Sequence, residues 1–192
     1  MPRPSKKDER TAEILDAYGR CIARHGVDGT TLEMTAEEAG LARALIRHNV
    51  GNKDDILDAF VNRFLEQASR DTATLFDALP EKPRIDTLID WLFDQRYSNA
   101  SSVRVSNALF AAATDRPALA RELSAWTSAF SNRIGDELRR ASPTTDESRI
   151  AAAATGIVAI YFNYDSMSQL GRAGPLRKNS TVAARMLVEG LG

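Results

Sequence analysis

Asp28-Gly29-Thr30-Thr31-Leu32-Glu33-Met34-Thr35-Ala36-Glu37-Glu38-Ala39-Gly40-Leu41-Ala42-Arg43-Ala44-Leu45-Ile46-Arg47-His48-Asn49-Val50 is the stretch on which the fold turns. Asp28-Gly29 makes a turn. Thr30 and Glu33 stand at capping-box spacing, where a hydroxyl and a carboxylate three residues on satisfy two orphan N–H groups, so a helix starts here. It runs to about Ala39 and stops at Gly40, since glycine takes positive φ at little cost. A second short helix follows over about 42–49. Two short helices joined by a glycine-bearing turn of three to four residues form the helix-turn-helix pattern. In the second helix Ile46 and Val50 are i, i+4 and suit burial, while Arg43 with Arg47, and Ala44 with His48, make a basic face of small residues on the other side.

Outward from this stretch the pattern stays helical. Upstream, a basic, proline-containing arm (residues 1 to about 7) leads into a helix with Ile14, Leu15, Ala17, Tyr18, Cys21 and Ile22 on adjoining faces. It stops at Gly26, after Arg24 and His25, where positive charge suits a helix C-terminus. Downstream, Gly51-Asn52-Lys53 breaks the chain, and a long helix spans about 53–79. Pro80 and Pro83, then 98–102, 114–117, 141–146 and 170–175, mark loops between helices at about 84–97, 103–113, 117–140, 147–169 and 180–190. No segment has the period-2 alternation of a strand. The expected fold is all-α with about nine helices.

The bulk properties are those of an ordinary globular chain. There are 192 residues, 25 lysines and arginines against 26 aspartates and glutamates, and 43% hydrophobic residues. These values exclude a disordered tail protein, a collagen-like chain and a disulfide-stapled miniprotein. A net charge of −1 leaves nucleic acid open, because a local basic face is what matters there. The single cysteine, Cys21, lies among apolar helix positions and reads as a small core residue. No apolar run approaches the roughly 20 residues of a membrane span, and no secretory signal precedes the first helix. The chain reads as cytoplasmic, with no membrane partner.

Ile14-Leu15-Asp16-Ala17, His25-Gly26, Gly29-Thr30-Thr31-Leu32, Ala36-Glu37-Glu38-Ala39-Gly40-Leu41 and Asn52-Lys53-Asp54-Asp55-Ile56-Leu57, in this order and without gaps, resemble the N-terminal DNA-binding domain of TetR-family transcriptional regulators. Ile46-Arg47-His48 and Gly174-Pro175-Leu176 resemble the family's BetI-like branch. The resemblance implies a helix-turn-helix DNA-binding domain over 8–53 and a helical ligand-sensing and dimerisation domain over 54–192. It also implies a homodimer on a palindromic double-stranded operator and a small-molecule effector that releases a repressor from DNA. The segment Ala151-Ala152-Ala153-Ala154-Thr155-Gly156 and the final helix resemble the family's dimer-forming four-helix bundle. Several positions depart from the pattern. Thr35 stands where isoleucine or leucine is usual, Ala42 where a capping serine is common, and Glu33 where a basic residue is frequent. Arg47 replaces a tyrosine, and Asn49 and Val50 replace an aromatic pair.

Candidate DNA contacts follow from the helix-turn-helix face. Thr30 or Thr31 suits a phosphate at the second helix's start. Arg43 and Arg47 suit phosphate or guanine, and Ala44 allows close approach. Leu45 suits a thymine methyl, His48 either a phosphate or plain solvent, and Lys53 a phosphate. Candidate pocket residues are Trp91, Tyr97, Phe110, Trp126, Phe130, Tyr161, Tyr164 and Asp165. Of Asn163 and Asp165, about 200° apart around a helix, one faces inward. An inward Asp165 favours a cationic or hydrogen-bond-donating ligand, an inward Asn163 a neutral one. Both histidines lie in the DNA-binding region, and there is no nucleophile motif, phosphate loop or paired metal ligands. No catalytic residue, metal or cofactor is expected. The competing reading is an all-helical adaptor that has lost DNA binding.

Overall fold

The computed structural model describes residues 6–171 and 173–192, with the backbone alone at 95 and 173. Met1 to Ser5 of the basic arm lie outside the described residues. The α-helices are α1 (Lys6–Gly29), α2 (Leu32–Ala39), α3 (Arg43–Val50), α4 (Lys53–Asp77), α5 (Arg84–Leu92), α6 (Ala100–Ala113), α7 (Pro117–Ala141), α8 (Glu147–Ser168) and α9 (Ala173–Glu189), with a 3-10 turn at Gln95–Tyr97. No strand occurs among the described residues. The expected all-α fold is what the chain adopts.

The chain forms two compact units. The first gathers residues up to 68 together with 104–121; the second gathers 69–103 and 122–192. Residues 54–68 and 104–121 thus fold with the helix-turn-helix.

In the first unit α1, α2 and α3 enclose a small core of Ile14, Ala17, Tyr18, Cys21, Ile22 and Ile46, all essentially inaccessible. Tyr18 meets Phe60 of α4 edge-on, ring centroids 5.6 Å apart. Gly19 permits this closeness, since a Cβ there would lie 2.7 Å from the Phe60 ring. Glu38 of α2 accepts from Arg20 and Arg24 of α1, tying the helices together at the surface. Thr35, placed where the family pattern has a larger apolar residue, is fully buried, and its hydroxyl donates to the Thr31 carbonyl at 2.9 Å. That bond removes most of the cost of a buried hydroxyl.

The second unit packs α5, α8 and α9 with the end of α4 and most of α7 around Phe76, Leu88, Phe93, Ile134, Ile157 and Tyr164. Glu137 of α7 is a buried acid held on three sides. Arg84 reaches it through Nε (2.7 Å) and Nη2 (3.0 Å), and Arg140 through Nη1 (2.9 Å). The same Arg84 guanidinium donates to the carbonyls of Phe76 and Leu79, at the end of α4, where carbonyls lack helical partners. The ion pair holds the Glu137 carboxyl below its ordinary range against the opposing effect of burial.

Three helix limits differ from the pattern-based expectation. The helix expected at 84–97 ends at Leu92 because the Asp94 carboxylate accepts the Arg96 backbone N–H at 2.9 Å, an alternative to the helical bond. Helix α6 begins at Ala100, within the serine-rich segment read as a loop, because Asn99 accepts the N–H groups of Ser101 and Ser102. Helix α9 begins at Ala173, seven residues before the expected start at 180. Pro175 falls in its first turn, where a missing N–H costs nothing.

Candidate nucleic-acid interface and sensor site

The helix-turn-helix is built by two glycines and a threonine. Gly26 takes φ 71° and kinks α1, so the first helix breaks where glycine was expected to stop it, then resumes for one turn. Thr31 sits extended (φ −116°, ψ 162°), and its hydroxyl accepts the Met34 N–H at 3.2 Å, capping α2. Gly40 takes φ 65° and donates to Glu37 O, while Leu41 donates to Ala36 O at 2.9 Å. These are the paired bonds of a Schellman turn, and they send the chain directly into α3.

Thr30 requires a correction. It is fully buried, and its hydroxyl donates to the Gly26 carbonyl at 2.7 Å. It closes the α1–α2 turn from inside and has no hydroxyl to offer a phosphate. The cap belongs to Thr31, which is exposed.

On α3 the division of faces is clear. Ile46 and Val50 are buried, while Arg43, Ala44, Leu45, Arg47 and His48 are exposed. Among the described residues, the side chains of Arg47 and His48 have no protein partner. Arg43 has one that pattern reading missed: its Nη1 lies 2.6 Å from Oε1 of Glu33 on α2. Lys53, exposed at the start of α4, donates from Nζ to the Asp28 carbonyl at 3.1 Å and keeps two further protons for another acceptor. The start of α4 is a reciprocal cap, which the α2 start is not. Asn52 Oδ1 accepts from Asp54 N and Asp55 N, and Asp55 returns to Asn52 N.

The sensor candidates fall in two places. Phe110, on α6, belongs to the first unit. In the second unit Trp91 and Tyr97 rings pack at 5.4 Å, Trp126 meets Phe162 at 5.7 Å, and Phe130 lies between Phe76 (6.4 Å) and Tyr161 (5.6 Å). Tyr164 is buried edge-on to Phe93, and its hydroxyl has no hydrogen-bond partner among the described residues. Asn163 is exposed and Asp165 is half-buried, so Asp165 is the inward residue. Ser98 donates to its Oδ1 at 2.8 Å, and the Tyr161 hydroxyl is its second donor. Burial raises the Asp165 carboxyl and, with the neighbouring aspartate, the Tyr161 phenol. Close by, Asp94 is clasped by Arg96 and falls to about 2.

No group of three or more His, Cys, Asp or Glu among the described residues is arranged to hold a metal ion, and no described helix is long and apolar enough to cross a membrane.

Comparison with known proteins agrees with this geometry. Residues 14–60, from α1 into α4, match the family model of bacterial regulatory proteins of the TetR family. The HTH-type transcriptional regulator BetI of Burkholderia thailandensis is 26% identical over 162 residues, covering 83% of this chain and 82% of its own. BetI of Burkholderia cenocepacia matches equally, at 26% over the same lengths. Among solved structures, a transcriptional regulator of Pseudomonas aeruginosa PAO1 superposes with a TM-score of 0.78 at 20% identity, over 97% of this chain and 92% of that one. A TetR-family regulator from Rhodococcus sp. gives 0.75 at 20%, over 94% and 99%. Residues 14–60 thus carry a TetR-family DNA-binding domain, and the chain over most of its length is similar to transcriptional regulators of that family.

Proposed function

We propose that the protein is a homodimeric repressor, working in the cytoplasm, that leaves a palindromic operator when a small molecule binds. The observation that carries this is the exposed face of α3: Arg43, Ala44, Leu45, Arg47 and His48 point outward from a helix anchored by Ile46 and Val50. Such a face suits the major groove, with Thr31 and Lys53 on flanking phosphates.

The dimer rests on exposed positions of α8 and α9. Ala151, Ala152, Thr155 and Ala159 on α8 are exposed at helical spacing, and Val182 and Met186 on α9 are 49% and 65% exposed. A second copy of this chain covers them as a four-helix bundle, and the two α3 helices then stand about 34–36 Å apart, one DNA turn. The effector site is assigned to the second unit, to Trp91, Tyr97, Trp126, Phe130, Tyr161, Tyr164 and Asp165. The ligand releases DNA by preferring the non-binding arrangement, by about 1–3 kcal/mol in typical couplings.

The test is a gel shift with the DNA flanking the protein's own gene, followed by addition of compounds that raise its melting temperature. A retarded complex that such a compound dissolves supports the proposal. A chain that retards none of this DNA is the adaptor instead, and one whose complex every stabilising compound leaves intact is not a ligand-released repressor.

A further inference from the structure

The ion pair between Glu33 and Arg43 joins the two helices of the helix-turn-helix at the surface that faces outward. Its side chains remain 56% and 61% exposed, so it adds little to stability. The packing of α1, α2 and α3 is already held by their buried core and by Glu38 with Arg20 and Arg24. The pair has another consequence. The contact is made through Nη1, which leaves the Nε–Nη2 edge of the Arg43 guanidinium available to another acceptor. Two parallel N–H groups on one edge match the O6 and N7 acceptors of guanine. Glu33 keeps a second carboxylate oxygen, and a carboxylate in the groove accepts from the cytosine amino group. Together the pair is neutral and presents both donors and acceptors. The phosphate backbone offers acceptors only and repels the carboxylate, whereas the major-groove edge of a guanine·cytosine pair offers both kinds. Arg47, one turn further along α3 and free of a counter-charge, suits the phosphates.

We infer that Glu33 is a specificity-determining positioning residue, which fixes Arg43 so that the pair reads one guanine·cytosine base pair as a unit. The inference rests on α3 being the helix that enters the groove.

The experiment selects bound duplexes from a pool with a randomised core, using the full chain as wild type, Glu33→Ala, Arg43→Ala and the double variant, and compares base preferences position by position. Thermal melts establish that each variant is folded, as expected for exposed positions. The wild type is expected to enrich guanine at one position of each half-site by on the order of tenfold. Both single variants lose that preference and keep the others, and the double variant loses no more at that position than either single one. An unchanged profile for Glu33→Ala overturns the inference. So does uniformly tighter binding with the same profile, which marks Glu33 as a mere shield, and so does an additive loss in the double variant. If the wild type enriches no sequence, the groove reading falls as well, which separates that failure from failure of Glu33 alone.

Discussion

Asp165 is a half-buried acid whose hydrogen-bond partners among the described residues are two hydroxyls, Ser98 and Tyr161. Burial raises its carboxyl, and the two donors pull it back only in part. A carboxyl raised above its unfolded value favours the folded state while protonated. That contribution is complete below the ordinary carboxylate range and is lost as pH rises through the raised value. Asp165→Asn cannot ionise, so its melting temperature is expected to gain on the native protein's as pH rises from acid to neutral. A cationic effector needs the ionised form, so at a pH low enough to protonate Asp165 its binding to the native protein releases a proton, seen as a calorimetric heat that depends on the buffer. Equal stabilisation of both proteins by cationic compounds excludes Asp165 as the counter-charge. At the DNA face, Lys53→Ala is expected to weaken all duplexes alike and to lower the salt slope by about 1. A titration at several salt concentrations checks this. The residues of the recognition face were legible because burial of Ile46 and Val50 fixes what lies opposite. The choice between two adjacent threonines was not. Spacing to Glu33 favours Thr30 as the cap, but the turn at Gly26 takes Thr30's hydroxyl inward. With Thr31 as the cap, Glu33 moves one place nearer the helix start, cannot close a capping box, and reaches Arg43 instead.

At the scale of elements, Arg84 links the end of α4, the start of α5 and the buried Glu137 of α7. Arg84→Met leaves Glu137 with Arg140 as its counter-charge and strips the α4 carbonyls of a donor. Loss of a buried partner costs about 3–5 kcal/mol; the partial exposure of Arg84 and the surviving Arg140 reduce the expectation to about 2–3 kcal/mol. Urea denaturation measures it. Helix α3 offers the opposite change. Ala42 stands extended at its N-cap (φ −69°, ψ 139°) with no side-chain cap. Ala42→Ser is expected to stabilise the protein by about 0.5–1 kcal/mol, again read by denaturation. Apolar periodicity places the helices well and their ends poorly. The end of α5 is decided by one Asp94 carboxylate bonding to Arg96 N, and the start of α6 by Asn99, side chains that periodicity does not weigh.

At the scale of the whole molecule, the dimer proposal makes Met186 the test position. It is 65% exposed on α9, so a charge there leaves the protomer's core intact. Met186→Glu is expected to turn a dimer into a folded monomer by light scattering, with loss of operator affinity. A native chain that is already monomeric at micromolar concentration, with or without DNA, removes the bundle. The first unit, meanwhile, is not one continuous piece of chain: residues 104–121 complete it. They bring Leu109, Ala112 and Leu119 into burial and supply Arg116, which pairs with Asp28 in the α1–α2 turn. During synthesis, then, α1, α2 and α3 leave the ribosome some 50 residues before the segment that finishes their own unit, a gap of about 3–10 s at ordinary elongation rates. Until then Asp28 has no arginine from that segment to meet, and a nascent chain stalled near residue 68 carries the helix-turn-helix without its last supporting pieces.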